Sequence, residues 1–289
     1  MFLIVGGDSE VGGAVVNALR SEGAPVIGTT RRRGMASADR PWLDLGDLPA
    51  GWAPPEGTRA VCIAGAIARL ADCEADPIGS ARVNCTGTID LARRLAGRGI
   101  YTLFLSTNQV FDGRTPHMAA DAKLSPMSEY GRQKARTEVA LRRLMADGAP
   151  VGILRLSKVA TPGMKLFADW REKLRAGRSV RAFGDMTLAP VPVALVVRAI
   201  VVMMRERIAR VAQLTGPRDI TYLGAARYLA VVVGADPDLV ETARAADIGL
   251  PPGATPGHTT LDSGFLAEAH GIVVPEAFDV VGEVVRGMV

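Results

Sequence analysis

Two side chains able to exchange a proton stand four residues apart in the stretch SEYGRQKARTE: Tyr130 and Lys134. On a helix that spacing puts phenol and ammonium on one face. An ammonium beside a phenol lowers its pKa toward the working range, which makes the tyrosine a proton donor or acceptor for a carbonyl oxygen. The apolar run upstream, LFLSTNQVFDG, ends in hydroxyl residues that include Thr107. If that run is a strand of a parallel sheet, the hydroxyl lies at the C-terminal edge, where such sheets bind ligands.

A second feature suits phosphate. GGDSEVGG, residues 6–13, follows the apolar MFLIV and precedes AVVNALRSEG. Glycines at that place let the backbone turn sharply and approach a pyrophosphate. The helix opening at Glu10 and Val11 adds N–H groups and the positive end of its dipole. In the register Gly6, Ser9, Gly12, a serine stands where a middle glycine is expected. Its hydroxyl is expected to donate to a phosphate, while its Cβ limits the approach of the backbone. The next apolar run, APVIGTT, leads directly into Arg31, Arg32 and Arg33. An acid at the end of that run would accept from a ribose 2′-hydroxyl, whereas arginine pairs with a 2′-phosphate. The expected cofactor is therefore NADP(H), held by Arg31 and Arg32, with a solvated loop residue as the other reading for at least one of the three arginines. Asp44, followed by Leu45 in WLDLGD, reads either as an acceptor for the adenine amino group or as the cap of a turn.

The elements that must position these groups alternate. Strands are expected at FLIV, APVIGTT, AVCIAG, YTLFLST and VGILRLS, with helices at 12–22, 78–97 and 128–147 between them. Such alternation predicts right-handed βαβ units in a parallel sheet covered on both faces. The fold class is α/β: a Rossmann-type doubly wound parallel sheet with a smaller, mostly helical substrate-binding domain. Residues 1–157 are assigned to the first domain, with a return around 187–215. Residues 158–289 form the second, its segments interleaved with the first. Proline and glycine punctuate the later chain at TPGM, LAPVPV, TGPRD and LPPGATPG, between helices near 164–176, 192–207, 221–233 and 276–288. Trp170 falls at helical spacing with Leu166 and Leu174 and is expected in a core.

Composition narrows the function classes. Of 289 residues 48% are apolar and spread along the chain, which excludes a disordered or fibrous protein. No apolar run reaches the ~18 residues of a membrane span. MFLIVGG lacks the basic region of a secretory signal. Cys62, Cys73 and Cys85 show no CxxC spacing and suit a reducing compartment, so a cytoplasmic location is expected. The histidines His117, His258 and His270 have no metal-ligand spacing, and no metal is expected. A net charge of +4, carried mostly by arginines placed singly, argues against a nucleic-acid partner.

Taken in order, the motifs resemble the extended short-chain dehydrogenase/reductase superfamily, and within it the dTDP-4-dehydrorhamnose reductase (sugar-nucleotide-binding) group. The matching segments are GGDSEVG, VNCTGT, LSTNQVFDG, SPMSEYGRQK, ILRLSKV, FGDMTLAPV and HTTLDSGFLAEAHGI. The resemblance implies hydride transfer from NADP(H) to the keto carbon of a nucleotide-linked sugar. It gives Thr107 a hydrogen bond to the substrate carbonyl, Tyr130 the role of general acid, and Lys134 the nicotinamide ribose. It places Asn84 in support of the active-site helix or the cofactor, and Ala64, Gly65 and Ala66 along the groove. The superfamily's dehydratases carry an Asp–Glu pair after the threonine. Here Asn108 and Gln109 stand there, amides that exchange no proton near neutral pH, so dehydration is disfavoured and both become candidate substrate contacts. Lys158, just past ILRLS, reads as a partner for a diphosphate or as a solvated lysine. Two alternatives accompany the reductase: an NADP-dependent sugar-nucleotide epimerase, and a non-catalytic NADP-binding regulatory protein on the same fold. The apolar stripe of EVALRRLMA reads either as a homodimer interface or as a face packed in the core.

Overall fold

The computed structural model describes residues 1–162, 164–248 and 255–287. Residue 163 of TPGM, residues 250–254 of LPPGATPG and residue 288 of the expected last helix lie outside the described residues. The first half runs β1 (Phe2–Val5), α1 (Glu10–Ser21), β2 (Val26–Gly28), β3 (Ala60–Ile63), α2 (Leu70–Ala75), α3 (Pro77–Ala81), α4 (Thr88–Ala96), β4 (Tyr101–Thr107), α5 (Glu129–Ala146) and β5 (Val151–Leu156). Next come β6 (Val159–Ala160), α6 (Lys165–Arg175), β7 (Val180–Phe183), β8 (Thr187–Leu188), β9 (Val191–Pro192), α7 (Val193–Glu206) and β10 (Val211–Leu214). The chain finishes with β11 (Ile220–Thr221), α8 (Tyr222–Val232), β12 (Val240–Ala243), α9 (Gly264–His270) and α10 (Ala277–Arg286).

Among the described residues six parallel strands form the central sheet, in the order β10-β5-β4-β3-β1-β2. β1, β3, β4 and β5 are buried along their whole length. That is why their sequences are continuous apolar runs rather than alternating ones, as in sheets covered by helices on both faces. This is the Rossmann-type arrangement that the alternation predicts. β1 pairs with β2 on one side and β3 on the other, so the strand order reverses there. The crevice at such a reversal, beyond the strands' C-terminal ends, is where doubly wound sheets take their ligands. Gly6 and Gly65 follow β1 and β3 at that place.

Two compact units are present. The first holds residues 1–110, 123–155 and 196–212; the second holds 111–122, 156–195 and 213–289. The first is built on Leu3, Val5, Val61, Ile63, Phe104 and Ile153 of the sheet, packed with Leu91, Leu95 and Leu141 of the helices. In the second, Trp170 is buried and stacks on Phe167 with ring centroids 5.6 Å apart, as its helical spacing predicts. Helices α6, α8 and α10 supply most of that core, and its strands pair in twos. Among the described residues no helix is long and apolar enough to cross a membrane.

Candidate active site

After β1 the chain turns at Gly6 with φ of +83°, a left-handed conformation that costs glycine little. A Cβ there would come 2.6 Å from the Cα of Gly65, so the loops after β1 and β3 meet backbone to backbone. Ser9 then caps α1: its hydroxyl accepts from the Gly12 N–H at 3.0 Å and donates to the Gly6 carbonyl at 2.8 Å. The proton expected on a phosphate is thus given to Gly6, and the serine closes the loop on itself. Glu10 and Val11 open α1, where N–H groups have no intrahelical acceptor. Loss of the cap in Ser9→Ala is expected to lower stability by about 0.5–2 kcal/mol, against roughly 0.3 kcal/mol for Ser9→Gly. Thermal melts of both variants measure this, and equal losses would deny the capping role.

The end of β2 is tied to the same loop. The Gly6 N–H donates to the buried Thr29 hydroxyl at 3.1 Å, and the buried Thr30 hydroxyl donates to Asp8 at 2.5 Å. Thr30 Oγ1 also accepts from the Arg32 N–H at 3.1 Å. Of the three arginines, Arg33 is turned onto Trp42, its guanidinium carbon 4.2 Å from the ring centroid. The Arg31 carbonyl accepts from Trp42 Nε1 at 3.1 Å. Asp44 caps the turn Leu45–Asp47 through the Gly46 N–H at 2.8 Å, the second of its two readings.

These residues frame a groove of about 210 Å³, lined by Gly6, Ser9, Arg31, Arg32, Asp44, Leu45, Gly65 and Ala66 among others. Ala64 is not among the lining residues; its N–H donates to the Val5 carbonyl at 2.9 Å. Glycine backbone in a tight turn, a helix N-terminus and two guanidinium groups fit the pyrophosphate and ribose phosphate of a dinucleotide.

Asn84 lies beside the groove rather than in its lining. It is buried within a π turn, Arg82–Gly87, a backbone form that concentrates at functional sites. Its amide accepts from the Ile67 N–H and donates to the Ile67 carbonyl, both at 2.9 Å, and donates to Gln133 Oε1 at 2.8 Å. Asn84 therefore fastens the loop carrying Gly65 and Ala66 to α5.

Thr107 ends β4, buried, with its Oγ1 accepting from the Gln109 N–H at 3.2 Å. It donates to Asn108 Oδ1 at 3.4 Å. Gln109 Oε1 accepts from Ser128 Oγ at 3.1 Å, and Ser128 caps α5 through the Gly131 N–H. Gln109 thus connects the threonine to the start of the tyrosine helix, by its N–H on one side and its side-chain amide on the other. Tyr130, half-buried, and Lys134, buried, lie in the first turns of α5. Lys134 Nζ donates to the Leu105 carbonyl at 2.8 Å and lies 5.8 Å from the centroid of the Tyr130 ring. Burial lowers its pKa to about 8, against the opposing pull of Glu138. The phenol behaves contrary to the expectation from spacing. Burial raises it above its ordinary value, with Cys73 adding in the same direction. Tyr130 accordingly keeps its proton at neutral pH.

Behind Lys134 is a network that motif spacing does not reveal. Glu138 and Arg155 are both 0% exposed and paired at 2.7 Å, and Ser106 Oγ donates to Glu138 at 2.6 Å. The available signal was a lone arginine inside the apolar run VGILRLS, which requires a buried partner. Lys158, in the second unit, is exposed; its carbonyl accepts from the Val191 N–H at 2.9 Å.

The family described as RmlD substrate binding domain matches residues 1–288. The chain belongs to this family, which is dTDP-4-dehydrorhamnose reductase-like. Two relatives of this RmlD-family chain carry reductase names. Probable low-salt glycan biosynthesis reductase Agl14 of Haloferax volcanii is 30% identical over 197 residues, covering 66% of this chain and 64% of that protein. The match thus spans just under two thirds of that relative. A dTDP-4-keto-6-deoxy-D-glucose reductase of Streptomyces niveus is 27% identical over 243 residues, 83% of this chain and 81% of its own length. Among solved structures, the dTDP-4-dehydrorhamnose reductase of Bacillus anthracis in complex with NADP is similar in fold. Its TM-score is 0.81 at 14% identity, over 98% of this chain and 97% of that one.

Proposed function

We propose that this chain is an NADP(H)-dependent reductase of a nucleotide-activated keto-sugar. The observation that supports the reading is the junction of β4 and α5: Lys134 Nζ donates to the Leu105 carbonyl and lies 5.8 Å from the Tyr130 ring, and Gln109 and Ser128 link Thr107 to the start of α5. The reductase names of the family relatives support the same chemistry. Gly6, Glu10, Val11 and Gly12 would hold the pyrophosphate of NADP(H), with Arg31 and Arg32 on the 2′-phosphate. Bound there, the dinucleotide would supply the hydride that the keto carbon receives. The chain's own part is acid catalysis and orientation. Thr107 donates a hydrogen bond to the carbonyl oxygen, and Tyr130 gives that oxygen its proton as negative charge develops on it. The Lys134 ammonium steadies the phenolate left behind and holds the nicotinamide ribose. The phenol carries its proton at neutral pH, which is the state in which reduction begins.

NADPH oxidation assayed with 4-keto nucleotide sugars tests the reading. Stoichiometric consumption of NADPH is expected, whereas turnover without net consumption would mark an epimerase. The rate should fall as pH rises through about 8, where the Lys134 ammonium loses its proton. A rate that climbed across that range would contradict the charge assigned to Lys134.

A further inference from the structure

The acid missing from the end of β2 arrives from another part of the chain. Asp8, inside the glycine loop, accepts from Thr30 through one oxygen and pairs with Arg40 through the other. Arg32 Nε lies 3.9 Å away. Arg40 is delivered by backbone structure, since residues 37 and 40 exchange N–H to carbonyl bonds at 3.0 and 3.1 Å. Bonds from the Thr30 N–H to Pro41 and from the Leu43 N–H to Thr30 then hold the following residues against β2. The carboxylate is 14% exposed, against 37% for Arg40 and 64% for Arg32. A sheltered anion thus sits at the centre of a cationic cluster, and its closest cation is Arg40.

We infer that Asp8 is a specificity-determining residue that sets how strongly the groove prefers a phosphorylated ribose over a plain one. The inference rests on the dinucleotide reading of the groove. A carboxylate accepts from a ribose 2′-hydroxyl, while guanidinium groups pair with a 2′-phosphate, and this cluster contains both. A 2′-phosphate brings nearly two further negative charges toward Asp8, which offsets part of the attraction of Arg31 and Arg32. A 2′-hydroxyl meets no such opposition. Asp8 thereby narrows the preference that Arg31 and Arg32 give to NADP(H) over NAD(H).

The test is calorimetric titration of NADPH and NADH into wild type, Asp8→Asn and Arg40→Gln, with thermal melts of all three. In wild type the two dissociation constants should lie within about tenfold, the scale of one screened charge interaction. Asp8→Asn should tighten NADPH and weaken NADH, moving their ratio by about tenfold toward NADPH. Arg40→Gln, which leaves the carboxylate uncompensated, should move the ratio the other way. An Asp8→Asn ratio that stays put or moves toward NADH overturns the role of Asp8, even where both constants change together. Wild type that binds neither dinucleotide overturns the groove reading itself, and this inference with it.

Discussion

Tyr130→Phe is expected to lower the turnover of NADPH-dependent keto-sugar reduction by about 10²–10⁴-fold, the range typical for loss of a positioned general acid. Affinity for NADPH should change little, because the ring stays and only the hydroxyl is removed. Burial holds the phenol protonated, so the group lost is the donor required at the start of the reductive direction. Thr107 hydrogen-bonds the same oxygen in the proposed geometry, but its hydroxyl holds its proton far more tightly than a phenol does and cannot replace it as the acid. Steady-state rates and NADPH titration on one preparation separate the two effects. Unchanged turnover would rule out the proposed acid, and unchanged biological activity would favour a binding or regulatory protein.

The largest stability effect should come from Arg155. Removing its head group in Arg155→Met leaves Glu138 fully buried without the partner it holds at 2.7 Å. Breaking a buried pair in this way costs about 3–5 kcal/mol. Replacing both members, in Glu138→Leu with Arg155→Met, should recover much of that loss, because a well-packed apolar pair avoids desolvating two charges. Urea midpoints of the single and double variants decide the matter. A double variant no better than the single would show that Ser106, which donates to the same carboxylate, and Arg142, 3.8 Å from it, together compensate Glu138 without Arg155. The pair also bears on catalysis. Glu138 lies one helical turn beyond Lys134 and raises its pKa against the lowering effect of burial. The double variant should therefore lose activity at a lower pH than wild type.

Much of this site could be read in the sequence because its groups act through local spacing. Tyr130 and Lys134 share a helix face at four residues, and the glycine loop follows an apolar run that is buried on both sides of a parallel sheet. What escaped depends on contacts between distant segments. β10 is a four-residue strand, VAQL, interrupted by a polar residue, and neither length nor alternation marks it. Arg40 meets Asp8 across 32 residues, and Glu138 meets Arg155 across 17; no local pattern encodes either distance. Asn84 stands out in the sequence, but its bonds to Ile67 and Gln133 follow from a π turn, a backbone choice that propensities do not predict. Ser9 is a related case: as a substitute for glycine it suggests a ligand contact, and its role in capping α1 between Gly12 and Gly6 shows only in three dimensions.

The closure of that loop by Ser9 has a kinetic consequence. A phosphate-binding loop that must be ordered by its ligand loses conformational entropy at the moment of binding. Here the hydroxyl links Gly6 to Gly12, so under the proposed dinucleotide reading the turn would already hold its receiving shape. A preorganised receptor of this kind captures its ligand without a slow ordering step, and differences in affinity between dinucleotides then reside mainly in how long each one stays.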